Sequence, residues 1–99
     1  MERQRVVVTG MGGVTPLGLT VDEFWKGLVE GRSGVGPMTL CDPTDYPCRI
    51  AGELKGFDPG QFINAREARR MARFSQLALA AALQAVEDAC LVLDKVDRD

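Results

Sequence analysis

The first hydrophobic segment of the chain is a continuous run that ends in glycine. Residues 5–9 read Arg-Val-Val-Val-Thr, with no alternation of polar and apolar positions. Such a run is typical of a strand that is buried on both faces of a parallel sheet. A glycine-rich turn over residues 10–18 follows it. Residues 33–60 are then loop-rich and proline-rich, and residues 49–54 could form one short strand within that region.

Hydrophobic residues recur at helical spacing after Thr20. Thr20 and Glu23 have the spacing of a capping box, in which each side chain bonds a free backbone N–H group of the other residue. The pattern predicts a helix from about Val21 to Glu30, and Gly31 is a natural C-terminal stop. A strand, a turn and a helix in this order indicate an α/β protein. The helix is expected to bury a face formed by Val21, Phe24, Trp25 and Leu28.

A longer helix is predicted in the C-terminal half of the chain. Asn64 and Glu67 again have capping-box spacing, and the helical pattern runs on through residues 74–86. This last stretch is apolar nearly all round, so it has to be covered on most of its sides. Its alanines suit close packing against another backbone. The alternative is a simple alanine-rich helix in a small bundle.

Positive charge is concentrated just before that apolar stretch. Residues 65–73 carry a net charge of +3 in a chain of net charge −2, which leaves −5 on all other residues. On one continuous helix the arginines would share a stripe about 100° wide. A charge run is often only a solvated face, but no acid interrupts this stripe, and guanidinium groups bind carboxylates and phosphates through paired hydrogen bonds. We therefore predict an acidic partner that binds Arg66, Arg69, Arg70 and Arg73.

An acidic protein surface is favoured over nucleic acid as that partner. The chain is acidic overall, with a sequence pI of about 5.1, and it carries no recognised nucleic-acid motif. Membrane association is not expected either, because the apolar run of residues 6–8 meets Gly10 almost at once and no run approaches the ~20 residues of a membrane span. The sequence indicates a cytoplasmic protein.

No convergent set of catalytic or cofactor-binding residues is visible in this sequence, although lysine and carboxylate mechanisms remain possible. There is no histidine, which removes every Cys-His, Ser-His and His-metal arrangement. The glycine-rich turn has neither the third glycine of a dinucleotide fingerprint nor the Lys-Ser/Thr pair of a P-loop, so its glycines are interpreted as sites of close packing and positive φ. We predict no cofactor and no metal site. Cys41, Cys48 and Cys90 lack zinc-ligand spacing and are predicted to be free thiols, with Cys90 buried and unreactive.

The chain contains the segments RVVVTGMG at 5–12, TPLG at 15–18, Trp25, GRSG at 31–34, FDP at 57–59 and RRMARF at 69–74. Taken in order, these segments resemble the N-terminus of the β-ketoacyl-acyl carrier protein synthases, most closely the type II elongating enzymes of bacterial fatty acid synthesis. The likeness runs through essentially the whole chain, and the order and spacing of the segments are highly specific. One departure is Ala72, where relatives commonly have aspartate.

The resemblance implies a thiolase-like fold, built from two related α/β halves with layered helices and sheets, of which this chain is an incomplete N-terminal part. Residues 1–99 would be a partial synthase domain that stops before the catalytic cysteine, and residues 91–99 would lead into the next strand. In the family, a cysteine accepts the acyl group, two histidines assist decarboxylation of malonyl-carrier protein, and the resulting carbanion attacks the acyl-enzyme. All three residues are expected after Asp99, so the chain alone is expected to be inactive.

The resemblance also implies acyl carrier protein, which is acidic, as the partner. Positions matching Arg66, Arg69 and Arg70 belong to a basic patch that receives it, whereas Arg73 is included from its spacing. A homodimer of the full-length enzyme is implied by the family as well. Two interpretations remain open beside the fatty acid synthase: a polyketide ketosynthase or its non-catalytic chain-length partner, and a stand-alone module that binds carrier protein.

Overall fold

The computed structural model describes residues 2–95 as a mixture of helices and short strands. This content agrees with the predicted α/β class. The expected linker over residues 91–99 contains a 3₁₀ turn at Leu93–Lys95, and its last four residues lie outside the described residues. The elements are α1 (Val21–Glu30), β1 (Val35–Pro37), β2 (Ile50–Gly52), α2 (Ala65–Ala68) and α3 (Arg73–Asp88), with 3₁₀ turns at Pro59–Gln61 and Leu93–Lys95. Among these residues no helix has both the length and the apolar character needed to cross a membrane.

Helix α1 has the bounds that its capping residues predict. The Thr20 hydroxyl accepts a hydrogen bond from the Glu23 N–H at 3.2 Å. The Glu23 carboxylate reaches back one residue further than in a standard capping box, to the Leu19 N–H at 2.9 Å. At the other end Gly31 takes a φ of 71°, the left-handed conformation in which glycine has no steric penalty. The start and the stop of α1 are therefore both encoded locally.

The apolar face of α1 is less buried than predicted. Trp25 is 63% exposed and Leu28 is 48% exposed, while the buried residue of the helix is Gly27. A Cβ atom at Gly27 would lie 3.1 Å from Cβ of Leu17, which packs closely against the helix there. The prediction of a buried face is wrong for this chain, because residues 2–95 do not supply a second layer over Trp25 and Leu28.

The two strands form an antiparallel hairpin in which Val35 pairs with Gly52 and Pro37 with Ile50. The strand suggested at residues 49–54 is thus present but shorter, and its partner β1 was not predicted. The ladder extends by one bond from the Met38 N–H to the Arg49 carbonyl at 2.9 Å. This sheet is antiparallel, so the parallel sheet expected from the N-terminal segment is absent from residues 2–95.

Glu53 fastens the loop that leaves β1. Its carboxylate accepts hydrogen bonds from the backbone N–H groups of Leu40, at 2.7 Å, and Thr39, at 2.9 Å. These bonds stabilise the charged carboxylate and lower the pKa of Glu53 below its ordinary value of 4.5. The Leu40 bond has the larger effect and the Thr39 bond the next largest.

Lowering the pH is expected to release this loop. Because the pKa of Glu53 is lower in the folded protein, its contribution to stability is fully present above pH 4.5 and is lost as the pH falls through the folded value. Hydrogen exchange of the full-length protein, corrected for intrinsic rates, should show that protection of the Leu40 N–H falls as the pH is lowered below 4.5. In Glu53→Gln the protection should be low and independent of pH. Glu87→Gln, at an exposed position of α3, is the control. A Leu40 exchange profile unchanged by Glu53→Gln would contradict the assignment.

The predicted single helix over residues 64–86 is broken in two. Asn64 accepts from the Arg66 N–H at 2.8 Å, so it opens α2 through an Asx turn and not through a capping box with Glu67. Helix α2 ends at Ala68. Ala72 then has an extended backbone, with ψ of 157°, and starts α3 without a side-chain cap. Continuous helical spacing in the sequence therefore hides a corner.

The glycine-rich turn packs directly against the backbone of helix α3. A Cβ atom at Gly12 would overlap the Ala81 carbonyl oxygen and lie 2.8 Å from the Ala85 nitrogen. At Gly10 a Cβ atom would overlap the Ala85 carbonyl oxygen and lie 2.5 Å from the Ala89 nitrogen. The expected close packing by glycines and alanines is confirmed. The positive φ also expected in this turn is not found, because the positive-φ glycines of the described chain are Gly31 and Gly56.

Side chains of α3 hold the same turn by hydrogen bonds. The Gln84 amide accepts from the Gly13 N–H at 3.1 Å and donates to the Leu19 carbonyl at 2.8 Å. The Asp88 carboxylate accepts from the Met11 N–H at 2.9 Å. Because this turn has no ladder partner in residues 10–14, these bonds satisfy backbone groups that a sheet would otherwise serve.

The N-terminal valines do not form the predicted strand within residues 2–95. Val6, Val7 and Val8 are 92%, 74% and 81% exposed. A strand requires a neighbour for its backbone groups, and the described chain places none beside this segment. Helix α3 is similarly uncovered at its start, where Phe74 is 76% exposed, which agrees with the expectation that its cover lies elsewhere.

The whole chain is open for its size. Its accessible surface is 8412 Å², whereas a folded monomer of this mass exposes about 5,500 Å². Its radius of gyration is 17.4 Å, against about 13 Å for a compact domain of this length. The apolar surface of the N-terminal segment, α1 and α3 therefore requires further protein to cover it.

Candidate docking surface

The four predicted arginines lie around the corner between α2 and α3. Arg66 belongs to α2, Arg69 and Arg70 lie in the turn that ends it, and Arg73 is the first residue of α3. All four are exposed. The single helical stripe on which they were grouped is wrong, because the chain turns at Ala72. They nevertheless stay within one eight-residue segment, which we call the arginine corner (residues 66–73).

The best-packed part of the chain lies directly under the arginine corner. Of the four buried apolar side chains in the described residues, three are found here: Phe57, Ile63 and Ala68, at 8%, 5% and 6% exposure. The Gln76 amide of α3 donates to the Ala68 carbonyl at 2.8 Å and ties the two helices together. The corner is thus presented from a packed base, although the rest of the chain is open.

Arg73 differs from the other three arginines in its contacts. Its guanidinium carbon lies 4.8 Å from the centroid of the Phe57 ring, within the range of a cation–π interaction. The Phe57 ring is in turn stacked on Phe62, with 6.2 Å between centroids. From the sequence, Phe57 was identified only as part of the FDP segment at 57–59, and its contact with Arg73 was not predicted. Arg73 follows Phe57 by sixteen positions, and no periodic pattern marks such a contact.

The arginine corner keeps its positive charge unpaired by acids of the described chain. Within residues 2–95 the ion pair formed is that of Arg32 with Glu30, at 2.9 Å, and both side chains are more than half exposed. None of the corner arginines takes part in it. Three of them, Arg66, Arg69 and Arg70, therefore present guanidinium groups that an acidic surface could bind.

The cysteines are free thiols on the surface of the described chain. Cys41, Cys48 and Cys90 are unpaired, as predicted, and all three are exposed. The prediction that Cys90 is buried is wrong, because the chain leaves α3 here with a φ of 52° and carries the residue out of the helix. Across residues 2–95, no group of three or more metal-ligating side chains comes together.

Comparison with known proteins finds relatives that match almost the whole length of the chain. A family model for the β-ketoacyl synthase N-terminal domain matches residues 3–99. The 3-oxoacyl-[acyl-carrier-protein] synthase 2 of Synechocystis sp. is 48% identical over 99 residues, covering 100% of this chain and 24% of that relative. The protein of the same name from Vibrio cholerae is 43% identical over 95 residues, covering 96% of this chain and 23% of that relative. The chain spans about a quarter of the length of these relatives.

Two solved structures share the fold of this chain. The ishigamide ketosynthase/chain length factor matches with a TM-score of 0.86 and 40% identity, over 96% of this chain and 24% of that one. A type II polyketide synthase acyl-carrier protein in complex with its ketosynthase, bound to the hexaketide, matches with a TM-score of 0.71 and 28% identity, over 96% and 23%. The open shape described above is therefore shared with part of a larger ketosynthase. Together with the family match over residues 3–99, this establishes that the chain belongs to the β-ketoacyl synthase family, as part of its N-terminal domain.

Proposed function

We propose that the protein containing this chain is a β-ketoacyl-acyl carrier protein synthase that elongates fatty acids. The observation that carries this proposal is the match of residues 3–99 to the family, with 48% identity to a 3-oxoacyl-[acyl-carrier-protein] synthase 2. A cysteine thiolate of the full-length enzyme takes the acyl group from its carrier and releases the carrier thiol. Loss of CO₂ from malonyl-carrier protein leaves a carbanion, which attacks the acyl-enzyme carbonyl and expels the thiolate.

The catalytic cysteine and histidines of this reaction belong to the remainder of the enzyme. The chain contains no histidine, so its three exposed cysteine thiols lack the two histidines with which the family's catalytic cysteine works. Its own contribution is structural: α3 and the glycine-rich turn form part of the core, and the arginine corner forms a docking surface. The exposed valines at residues 6–8 support a layered, thiolase-like enzyme in which that segment joins a sheet.

The arginine corner is proposed to receive the acidic acyl carrier protein. Arg66, Arg69 and Arg70 are exposed, carry no ion pair within residues 2–95, and are presented from a packed base. One structural neighbour is a ketosynthase in complex with its acyl-carrier protein, which supports this class of partner. A homodimeric, cytoplasmic enzyme is proposed from the family alone.

A polyketide ketosynthase, or its chain-length partner, is the second candidate. The ishigamide ketosynthase/chain length factor has a TM-score of 0.86 to this chain, so the fold supports that pathway as well. The sequence relatives, at 48% and 43% identity, favour fatty acid synthesis.

An assay of the full-length protein with acyl-carrier and malonyl-carrier substrates tests the proposed reaction. We expect release of one CO₂ for each β-ketoacyl-carrier product, and covalent acylation of one cysteine before malonyl-carrier protein is added. Residues 1–99 alone should give neither. Absence of acylation in a correctly folded full-length protein would contradict the proposal and favour a non-catalytic chain-length partner. Repeated condensation on the same chain would favour a polyketide synthase.

A further inference from the structure

We propose that Arg73 is a positioning residue: it holds the arginine corner in shape for Arg66, Arg69 and Arg70 and does not itself bind the carrier protein. The inference rests on the proposed docking function of the corner. It divides the four arginines of the corner into three that contact the partner and one that contacts the protein's own core.

The contact with Phe57 carries the argument. The Arg73 guanidinium lies 4.8 Å from the centroid of a ring that is 8% exposed, so one face of this cation is already occupied by the core. A cation held against an aromatic face at this distance is attracted by the ring quadrupole. Phe57 stacks on Phe62, which closes the 3₁₀ turn Pro59–Gln61 through its N–H to the Pro59 carbonyl at 3.1 Å. Arg73 therefore clamps this turn to the start of α3.

The backbone N–H groups of residues 69, 70 and 71 each bond a carbonyl of α2, so the missing constraints lie on the α3 side of the corner. Ala72 begins α3 without a side-chain cap, so the junction lacks the hydrogen bond that Asp, Asn, Ser or Thr would supply. The Gln76 bond to the Ala68 carbonyl, at 2.8 Å, holds the α2 side of the junction. The contact between Arg73 and Phe57 holds the α3 side. Loss of that contact would let the start of α3 move relative to the 3₁₀ turn Pro59–Gln61, and the docking arginines on the linked α2 side would shift with it.

Preorganisation is the physical link between this contact and binding. A partner that meets a fixed set of guanidinium groups does not have to order them, whereas a mobile corner would lose part of the binding free energy to ordering. A positioning residue therefore affects affinity through the ring on which it rests. A docking residue would act through its charge, independently of that ring. The two roles can be separated by a double-mutant cycle.

The test measures carrier-protein affinity of the full-length enzyme for Arg73→Ala, Phe57→Leu and the double variant, with Arg69→Ala as the docking control. We expect Arg73→Ala and Phe57→Leu each to weaken binding about two- to fivefold, and the double variant to be no weaker than the worse single one. Phe57→Leu changes no charge, so its effect on affinity is itself diagnostic. Arg73→Lys keeps a cation over the ring and should restore most of the affinity.

Three outcomes would overturn the inference. Additive losses in the double variant would make Arg73 a docking residue. A lower melting temperature of Arg73→Ala with unchanged carrier affinity would make the contact only structural. If Phe57→Leu does not fold, failure of Arg73→Lys to restore binding would show that a bidentate guanidinium contact with the carrier is required. An unchanged affinity for Arg69→Ala would instead remove the proposed docking function, on which the inference depends.

Discussion

Charge reversal of Arg69 and Arg70 together is expected to weaken binding of acyl carrier protein to the full-length enzyme by about tenfold to a hundredfold. Each exposed ion pair contributes about 0.2–1 kcal/mol, and reversal replaces two attractions with two repulsions. Both side chains are exposed, and the Arg69 backbone bond to the Ala65 carbonyl does not involve its guanidinium group, so the fold should be unaffected. Affinity is measured by titration of carrier protein at low and at high salt.

The salt dependence distinguishes docking from an indirect effect. Raising the ionic strength should reduce the difference between the variant and the parent, because exposed charges are screened over about 10 Å at 0.1 M salt. Lys26→Glu reverses an exposed charge on α1, away from the corner, and should leave affinity nearly unchanged. The reactive cysteine should still be alkylated by small reagents at the parental rate. Equal carrier affinity in the double variant and the parent would refute the docking assignment.

Replacement of Gly12 by alanine is expected to give the largest loss of stability of any single change discussed for this chain. The new Cβ atom would overlap the Ala81 carbonyl oxygen and lie 2.8 Å from the Ala85 nitrogen, and both are backbone atoms of α3 that cannot swing away. The turn and the helix would have to separate, which also strains the Gln84 bond to the Gly13 N–H. We expect the free energy of unfolding to fall by about 3 kcal/mol.

Gly13→Ala is the matched control for this prediction. A Cβ atom at Gly13 would meet the Val21 side chain at 3.6 Å, an ordinary van der Waals distance, and its φ is not positive. The free energy of unfolding of Gly13→Ala should therefore lie within about 1 kcal/mol of the parental value. Urea unfolding of the full-length protein, followed together with the yield of soluble protein, measures both variants. Equal midpoints for Gly12→Ala and Gly13→Ala would show that the close approach to α3 does not constrain the fold.

Features encoded within a few neighbouring residues were predicted well. Thr20, Glu23 and Gly31 fix both ends of α1 through contacts that span at most five residues, so its bounds follow directly from the sequence. The spacing within the glycine-rich turn also argued against a nucleotide interpretation. The alternative, in which the glycines allow close packing, agrees with the overlap that Cβ atoms at Gly10 and Gly12 would make with α3, although α3 was not named as the partner.

Burial was predicted poorly, for a physical reason. Trp25, Leu28 and the valines at residues 6–8 are apolar at the correct spacing, yet they are exposed in the described chain. A hydrophobic pattern indicates that a face requires cover, but it does not say which segment supplies it. The relatives of this chain are about four times longer, and the cover is expected from the additional protein. The misplaced Cys90 has another origin, a positive φ at the end of α3.

The sequence by itself determined the family, the limits of α1 and the concentration of positive charge at residues 65–73, since these depend on local order and spacing. The tertiary structure alone decided that the predicted helix turns at Ala72 and that Arg73 rests on Phe57. Helical periodicity is continuous across that turn, so a one-dimensional pattern contains no sign of it. The contact between residues 57 and 73 exists only once the chain has folded back on itself, because it requires the 3₁₀ turn, α2 and α3 to pack together.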